Sequence, residues 1–282
     1  MRQTAIKTLE MRNETEMLKI EQEFHDRLAM EANLDELLSF IRPNFESCTA
    51  VDNKFILSEI GDLQGKTVLE LGCGLGEASI YFALKGAKVI AVDISCASLR
   101  ILKTLADKCG VSQRIKTELH RAENLSFLDN DSIDIVYSNS LHHTCYRETI
   151  KEVYRVLKKG GRAFFAEPLN YNPIIKIYRR LAKGLRTPAE KNFKFSQLLE
   201  FKDRFKEIEH QELWLTRLCV FIYMFLIEHK NPSKVRYWKE IIINNQKYSN
   251  LFVKLEKIDS LFLKIFPFLK CLSWNTIIML KK

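Results

Sequence analysis

The segment Val68-Leu69-Glu70-Leu71-Gly72-Cys73-Gly74-Leu75-Gly76 constrains this chain more than any other. An apolar run short enough to be one buried strand ends in three glycines within five residues, and a helical pattern begins at once. Glycines there let the backbone turn sharply and approach a ligand where a side chain would collide. Asp93 closes the next apolar run, placing a carboxylate where ribose hydroxyls are commonly received. The pair describes a nucleoside crevice at the C-terminal ends of parallel strands.

The pattern around the loop supports a parallel sheet. Strands are expected at Thr67–Leu71, Lys88–Asp93, Arg114–His120, Ile133–Ser138 and Arg162–Glu167, with helices at Leu75–Lys85, Ser95–Cys109 and Tyr146–Leu157. Strands alternating with helical segments of this length give an α/β sandwich with both faces of the sheet covered. Phe205–Leu213 and Asn275–Lys281 read as two further strands, making seven. Apolar spacing predicts helices over 14–41 and around Val51 to Ile60, and over 218–230 and 234–270. Three regions result: an N-terminal helical lobe (1–62), the nucleoside-binding core (63–167), and a substrate or lid segment with a helical insertion and the last strands (168–282). The segment Pro168 to Arg204 is basic and aromatic, broken by Pro173, Gly184 and Pro188. Leu251, Leu255, Ile258, Leu261, Phe262 and Ile265, at helical spacing, are expected in a core.

Which nucleoside binds is a matter of spacing. A dinucleotide fingerprint counted from Gly72 requires Gly or Ala at position 77, where this chain has Glu77. A carboxylate there opposes a pyrophosphate but not a cationic sulfonium ligand.

These stretches resemble the motifs of class I S-adenosylmethionine-dependent methyltransferases, in the broad small-molecule (type 11-like) subgroup. The likeness spans roughly residues 60 to 170 and implies a Rossmann-like three-layer sandwich with a mostly parallel seven-stranded sheet. It implies that Glu70, Gly72, Gly74 and Gly76 line the cofactor pocket, that Asp93 holds the ribose and that Ile94 packs on adenine. Arg121-Ala122-Glu123 is similar to the family's D-A-E segment, with Arg121 in place of the usual Asp, so Ala122 and Glu123 carry over to the adenine edge. Ser138 and Asn139 would border the methionine part, and Gly160-Gly161 would form the tight turn before the fifth strand. The implied cofactor is S-adenosyl-L-methionine, with S-adenosyl-L-homocysteine as product.

His142 and His143, following the fourth strand, are the base candidates, since an imidazole titrates near neutral pH. Glu167, Asn170 and Tyr171 are candidates for acceptor contact, and His25 and Asp26 lie on a helix expected to close over the cofactor. The acceptor is expected to be a small molecule, lipophilic or anionic, methylated on O or N. The seven cysteines are scattered without a C-x-x-C pair, so neither disulfides nor a metal site is expected. With no apolar run of signal-peptide length at the start, a cytoplasmic protein is expected.

Net charge is +9, divided between −3 over residues 1–167 and +12 from Pro168 onward. Such asymmetry leaves a nucleic-acid methyltransferase as the runner-up. Against it, the site after the fourth strand reads Ser138-Asn139-Ser140-Leu141 rather than Asp/Asn-Pro-Pro-aromatic, and Cys145 follows Thr144 rather than a proline. A non-catalytic partner of the same fold is a further alternative. Peripheral membrane contact through Leu213 to Ile227 and Leu261 to Lys270 is a third, for which core packing of the helices offers a simpler account.

Overall fold

The computed structural model describes residues 2–182, 185–187 and 190–282, with side chains from residue 16 onward. Gly184 and Pro188, read above as breaks, lie outside the described residues.

Four helices precede the sheet: α1 (Arg2–Met30), α2 (Leu34–Ile41), α3 (Pro43–Glu46) and α4 (Val51–Ile60). Asn33 starts α2 by accepting the Asp35 and Glu36 amides, the capping that asparagine favours. Then follow β1 (Thr67–Leu71), α5 (Glu77–Leu84), β2 (Lys88–Asp93), α6 (Cys96–Lys108), β3 (Ile115–Leu119), β4 (Ile133–Ser138), α7 (Tyr146–Val156) and β5 (Leu157–Pro168). The chain continues through α8 (Pro173–Leu181), α9 (Leu198–Lys202), β6 (Glu207–Leu213), α10 (Cys219–Leu226), α11 (Tyr237–Ile243), α12 (Asn245–Ile265) and β7 (Asn275–Lys281).

The strands form one seven-stranded sheet in the order β3-β2-β1-β4-β5-β7-β6. The first five run parallel, and β7 lies antiparallel between β5 and β6. This is the Rossmann-like architecture expected. Both faces are buried, as a parallel sheet requires. On one face Leu37, Ile41, Phe45, Ile56 and Ile60 of the N-terminal helices join Ile80, Val89 and Leu102 in a single core. On the other, Ile150 and Val153 of α7 pack with Leu69, Val136 and Phe165.

Three expectations are corrected. Gly160 and Gly161 do not form a turn before the fifth strand but sit inside β5, whose pairing with β4 jumps between Ile133↔Leu157 and Ile135↔Arg162. Gly160 takes φ +77° there and its amide donates to the Lys282 carbonyl. The helix expected over 234–270 is two helices meeting at Asn244, followed by a 3₁₀ turn over Pro267–Leu272. Finally, α12 buries Tyr248, Phe252, Asp259 and Leu263. Leu251, Ile258, Leu261, Phe262 and Ile265, expected in a core, are exposed, and Leu255 is only partly buried. The helix is apolar on more than one side, so spacing could not select the side that packs.

Candidate functional site

Strand order reverses between β1 and β4, since β1 leads outward to β2 while β4 begins the other half of the sheet. Open α/β sheets bind ligands at such a point, outside the carboxyl ends of the strands. The glycine loop emerges there. The Gly72 and Cys73 amides donate to the Val92 carbonyl, at 2.8 and 3.0 Å, clamping the loop to the end of β2. Asp93 then spans the crevice: one carboxylate oxygen accepts the Gly74 amide and the other the Ser95 amide, both at 2.8 Å.

The glycines differ in what surrounds them. A Cβ on Gly72 would strike the Ser140 side chain, and one on Gly76 would strike Leu102. One on Gly74 would meet nothing within 4 Å. Gly72 and Gly76 therefore make room for the protein itself, whereas Gly74 faces open space. All three take positive φ.

Three carboxyls converge on this loop. Burial pushes Glu70 up to about 8, and the neighbouring Glu77 and Asp93 add to the shift against the Ser79 hydroxyl that donates to it. Burial likewise raises Glu77 and Asp93. A desolvated acidic crevice of this kind is electrostatically matched to a cation.

The remaining residues singled out in the sequence lie around the same strand ends. Ile94 is half-buried beside Asp93. Ala122 packs with Leu71 and Val92, while Glu123 pairs with Arg121 at 3.3 Å and accepts the Cys145 amide at 2.8 Å. The Ser138 hydroxyl, fully buried, donates to the Leu71 carbonyl at 2.8 Å and so ties β4 to β1. Asn139 is exposed, its amide donating to the Tyr137 hydroxyl at 2.7 Å. Asp26 of α1 accepts the Ser95 hydroxyl at 2.6 Å, which brings α1 against the start of α6. His25 lies 3.6 Å from Glu21 on its own helix.

Beyond Asn139 open two adjoining cavities of about 280 and 250 Å³ that share Asn139, His142, Arg186, Glu190 and Trp238. Trp214, Trp238 and Trp274, all the tryptophans of the chain, line the first. Between the cavities runs a network of charges. His142 is buried, with Nδ1 3.2 Å from Glu167 and Nε2 3.5 Å from Glu190. Glu190 also pairs with Arg179 at 3.1 Å and Arg186 at 2.8 Å. Burial opposes the charged imidazole, but the Glu167 and Glu190 carboxylates outweigh it and raise His142 to about 9. Glu190 falls to about 2 despite its own burial, because His142, Arg186 and Arg179 favour its charged form.

The base role expected for His142 is opposed by this pairing, since both carboxylates favour the protonated imidazole. His143 has Nδ1 3.1 Å from Glu21, a buried residue of α1 held well below the usual carboxylate range by His143 and His25 in spite of desolvation. Donor atoms of His142, His143 and Glu190 lie within 4.8 Å of one another. Glu190 is already shared by two guanidiniums, which makes this an ion-pair network rather than a set of free ligands.

Of the acceptor candidates, Glu167 serves His142. Asn170 and Tyr171 line neither cavity; the Asn170 amide donates to the Phe193 carbonyl and the Tyr171 hydroxyl accepts the Phe195 amide. Sequence reasoning missed Asp52, Arg236 and the three tryptophans. Asp52 lines the first cavity, accepts the Trp214 indole N–H at 2.9 Å and the Asn275 amide, and is raised by burial to about 6. Only the rarity of tryptophan marked Trp214, Trp238 and Trp274 in advance.

Comparison with known proteins adds to this geometry. Residues 68–161 match a family model described as a methyltransferase domain. The ubiquinone/menaquinone biosynthesis C-methyltransferase UbiE of Haemophilus ducreyi is 29% identical over 162 residues, covering 55% of this chain and 60% of that protein. A ubiquinone biosynthesis O-methyltransferase of Pseudomonas syringae pv. tomato is 32% identical over 119 residues, covering 42% and 50%. The chain thus spans between half and two thirds of these relatives' length. Among solved structures, geranyl diphosphate C-methyltransferase from Streptomyces coelicolor shares the fold, with a TM-score of 0.56 at 14% identity over 82% of this chain and 78% of that one.

Proposed function

We propose that this chain, whose residues 68–161 are a methyltransferase domain on a class I Rossmann-like sheet, binds S-adenosylmethionine and transfers its methyl group to a small acceptor. The observation that carries the reading is the Asp93 carboxylate spanning the Gly74 and Ser95 amides where the strand order reverses. Asp93 and Ile94 would hold the adenosine with Ala122 and Glu123 at its far edge, and Glu70, Gly74, Ser138 and Asn139 would hold the methionine part. The residues fit the group: three buried carboxyls suit a ligand bearing ammonium and sulfonium charge, and Gly74 leaves open the space that a nucleoside takes.

The cofactor, when bound, supplies an already activated methyl group. The protein's share is to align the acceptor and exclude water, and orientation of this kind is worth roughly 7–11 kcal/mol in favourable cases. The cavities beyond Asn139 provide the acceptor's place. Where the acceptor is a hydroxyl or amine that must lose a proton, Asp52 is the group that receives it, since two of its lone pairs remain after Trp214 and Asn275 are served. The arginines among Pro168–Lys282 that contribute to the positive surplus include Arg179, Arg186 and Arg236, which line cavities. That favours a small acceptor over nucleic acid.

The test is ligand stabilisation. S-adenosylhomocysteine at 100 times its dissociation constant stabilises the fold by about 2.7 kcal/mol, and Asp93→Ala reduces that shift. A well-folded sample without any shift would overturn the reading.

A second reading, contact with an anionic membrane surface, gains from the exposure of Phe225, Leu226 and Ile227, which core packing was expected to hide, together with Ile177 and Leu181. Ile177, Leu181, Phe225, Leu226 and Ile227 are exposed beside Lys176 and Arg180, the composition of an interfacial surface. Among the described residues no helix is long and apolar enough to cross a membrane. Co-sedimentation with phosphatidylglycerol vesicles, reduced in Phe225→Ser/Leu226→Ser, checks this; no binding above that of a soluble control removes it.

A further inference from the structure

Four cationic groups, His142, Arg179, Arg186 and Arg236, line the cavities against three carboxylates, Glu190, Glu167 and Asp52. Glu190 is shared by Arg179, Arg186 and His142, while among the described residues the cation paired with Glu167 is His142. Arg236, at the start of α11, lines the second cavity with Arg186, and its guanidinium has neither a hydrogen bond nor an ion pair among the described residues. Arg179 Nη1 and Arg186 Nε are buried without an acceptor among the described residues. Burial makes Arg179 and Arg236 less ready to hold their protons. Buried donors left unmet are costly, and guanidiniums meet carboxylates and phosphates through paired hydrogen bonds. Aromatic surface lines the first cavity as well: the Trp214 and Trp274 rings pack 5.2 Å apart at 76°, and the Trp214 N–H is already taken by Asp52.

We infer that these cavities form a binding site for a molecule joining an apolar body to an anionic head, carboxylate or phosphate, with Trp214, Trp238 and Trp274 around the body and Arg179, Arg186 and Arg236 around the head. That this molecule is the methyl acceptor rests on the function proposed above. Asn139 and His142 belong to both cavities and follow β4, so the site adjoins the nucleoside crevice. The charges of the walls exclude a neutral acceptor of equal size by leaving the arginines unpaired.

Because every tryptophan of the chain lines the site, intrinsic fluorescence reports occupancy without turnover. The full chain, with and without saturating S-adenosylhomocysteine, is titrated with octanoate, octyl phosphate and 1-octanol. The expected result is saturable binding of at least one anion tenfold or more tighter than 1-octanol, the tighter of the two identifying the head group. Arg179→Gln and Arg236→Gln each reduce that advantage below threefold while S-adenosylhomocysteine affinity stays within twofold. Lysine at either position, which keeps charge but loses the paired geometry, recovers part of it and serves where a glutamine variant melts early. Equal affinity for all three probes, or an advantage that survives both substitutions, overturns the proposal. Loss of S-adenosylhomocysteine binding in Arg236→Gln, with anion binding intact, also overturns it by assigning that arginine to the crevice. Anion binding without any S-adenosylhomocysteine binding would instead defeat the methyl-transfer reading and leave this site standing.

Discussion

His142 Nδ1 stands 3.2 Å from the Glu167 carboxylate at the end of β5, both side chains withdrawn from solvent. With Glu190 3.5 Å from the other ring nitrogen, the imidazole is gripped between two carboxylates. A group held charged in this way contributes field and position rather than a vacant lone pair. Removing either partner strands a buried charge, which typically costs 3–5 kcal/mol.

The first prediction concerns stability against pH. His142 stands at about 9 in the fold against an ordinary value of 6.5, so its contribution is complete below 6.5 and is lost as pH rises through 9. The raised value corresponds to on the order of 3 kcal/mol. Glu190, lowered to about 2, contributes above 4.5 and loses that contribution as pH falls toward 2. Denaturant midpoints measured from pH 6 to 10 should fall for the native chain more than for His142→Gln.

Gly74 and Gly76 should separate binding from folding. Alanine at Gly74 finds space but keeps φ +52°, a strain of roughly 1–2 kcal/mol; it folds, and it loses cofactor affinity by projecting into the crevice. Alanine at Gly76 collides with Leu102 as well as holding φ +93°, so its melting temperature falls further. Equal loss of stability in both variants would contradict the assignment.

Glu70 trades stability for binding. Its folded value of about 8 exceeds the ordinary 4.5, so the fold loses stability as pH rises across that window. Glu70→Gln should therefore melt higher than the native chain at pH 8.5 without ligand, with the difference shrinking toward pH 4.5. The same variant should bind S-adenosylmethionine more weakly, as calorimetry can measure.

On the proposed function, Asp52 is expected to set the acid limb of the rate. With a value of about 6, it becomes able to receive a proton as pH rises through 6. For an acceptor that loses a proton, Asp52→Asn should lower kcat by about 10²–10⁴ and flatten the profile below pH 7. A cofactor dissociation constant near that of the native chain would show that the loss is not one of folding.

Much of the sheet could be read in advance because its signals are local. Thr67–Leu71, Lys88–Asp93, Ile133–Ser138 and Asn275–Lys281 stand in the structure at the residues expected, each an apolar run bounded by turn or charged residues. Where the signal was two-sided it misled. Helix α12 carries apolar residues on more than one side, and contact with Trp214 and its neighbours selects Tyr248 and Phe252 for burial. The Gly160-Gly161 pair reads as a turn, but hydrogen bonds with Lys282, just past β7, draw it into β5.

The sequence by itself determined the glycine loop, the acid at Asp93 and the order of strands, because backbone conformation and strand spacing depend on neighbours along the chain. The tertiary structure alone decided that His142 stands between two carboxylates that favour its charged form, that burial raises Asp52, and that three tryptophans and three arginines share adjoining cavities. Those properties depend on which distant side chains meet and on how much water they exclude, and residues such as Asp52, Trp214 and Trp274 are brought together only when β7 enters the sheet between β5 and β6.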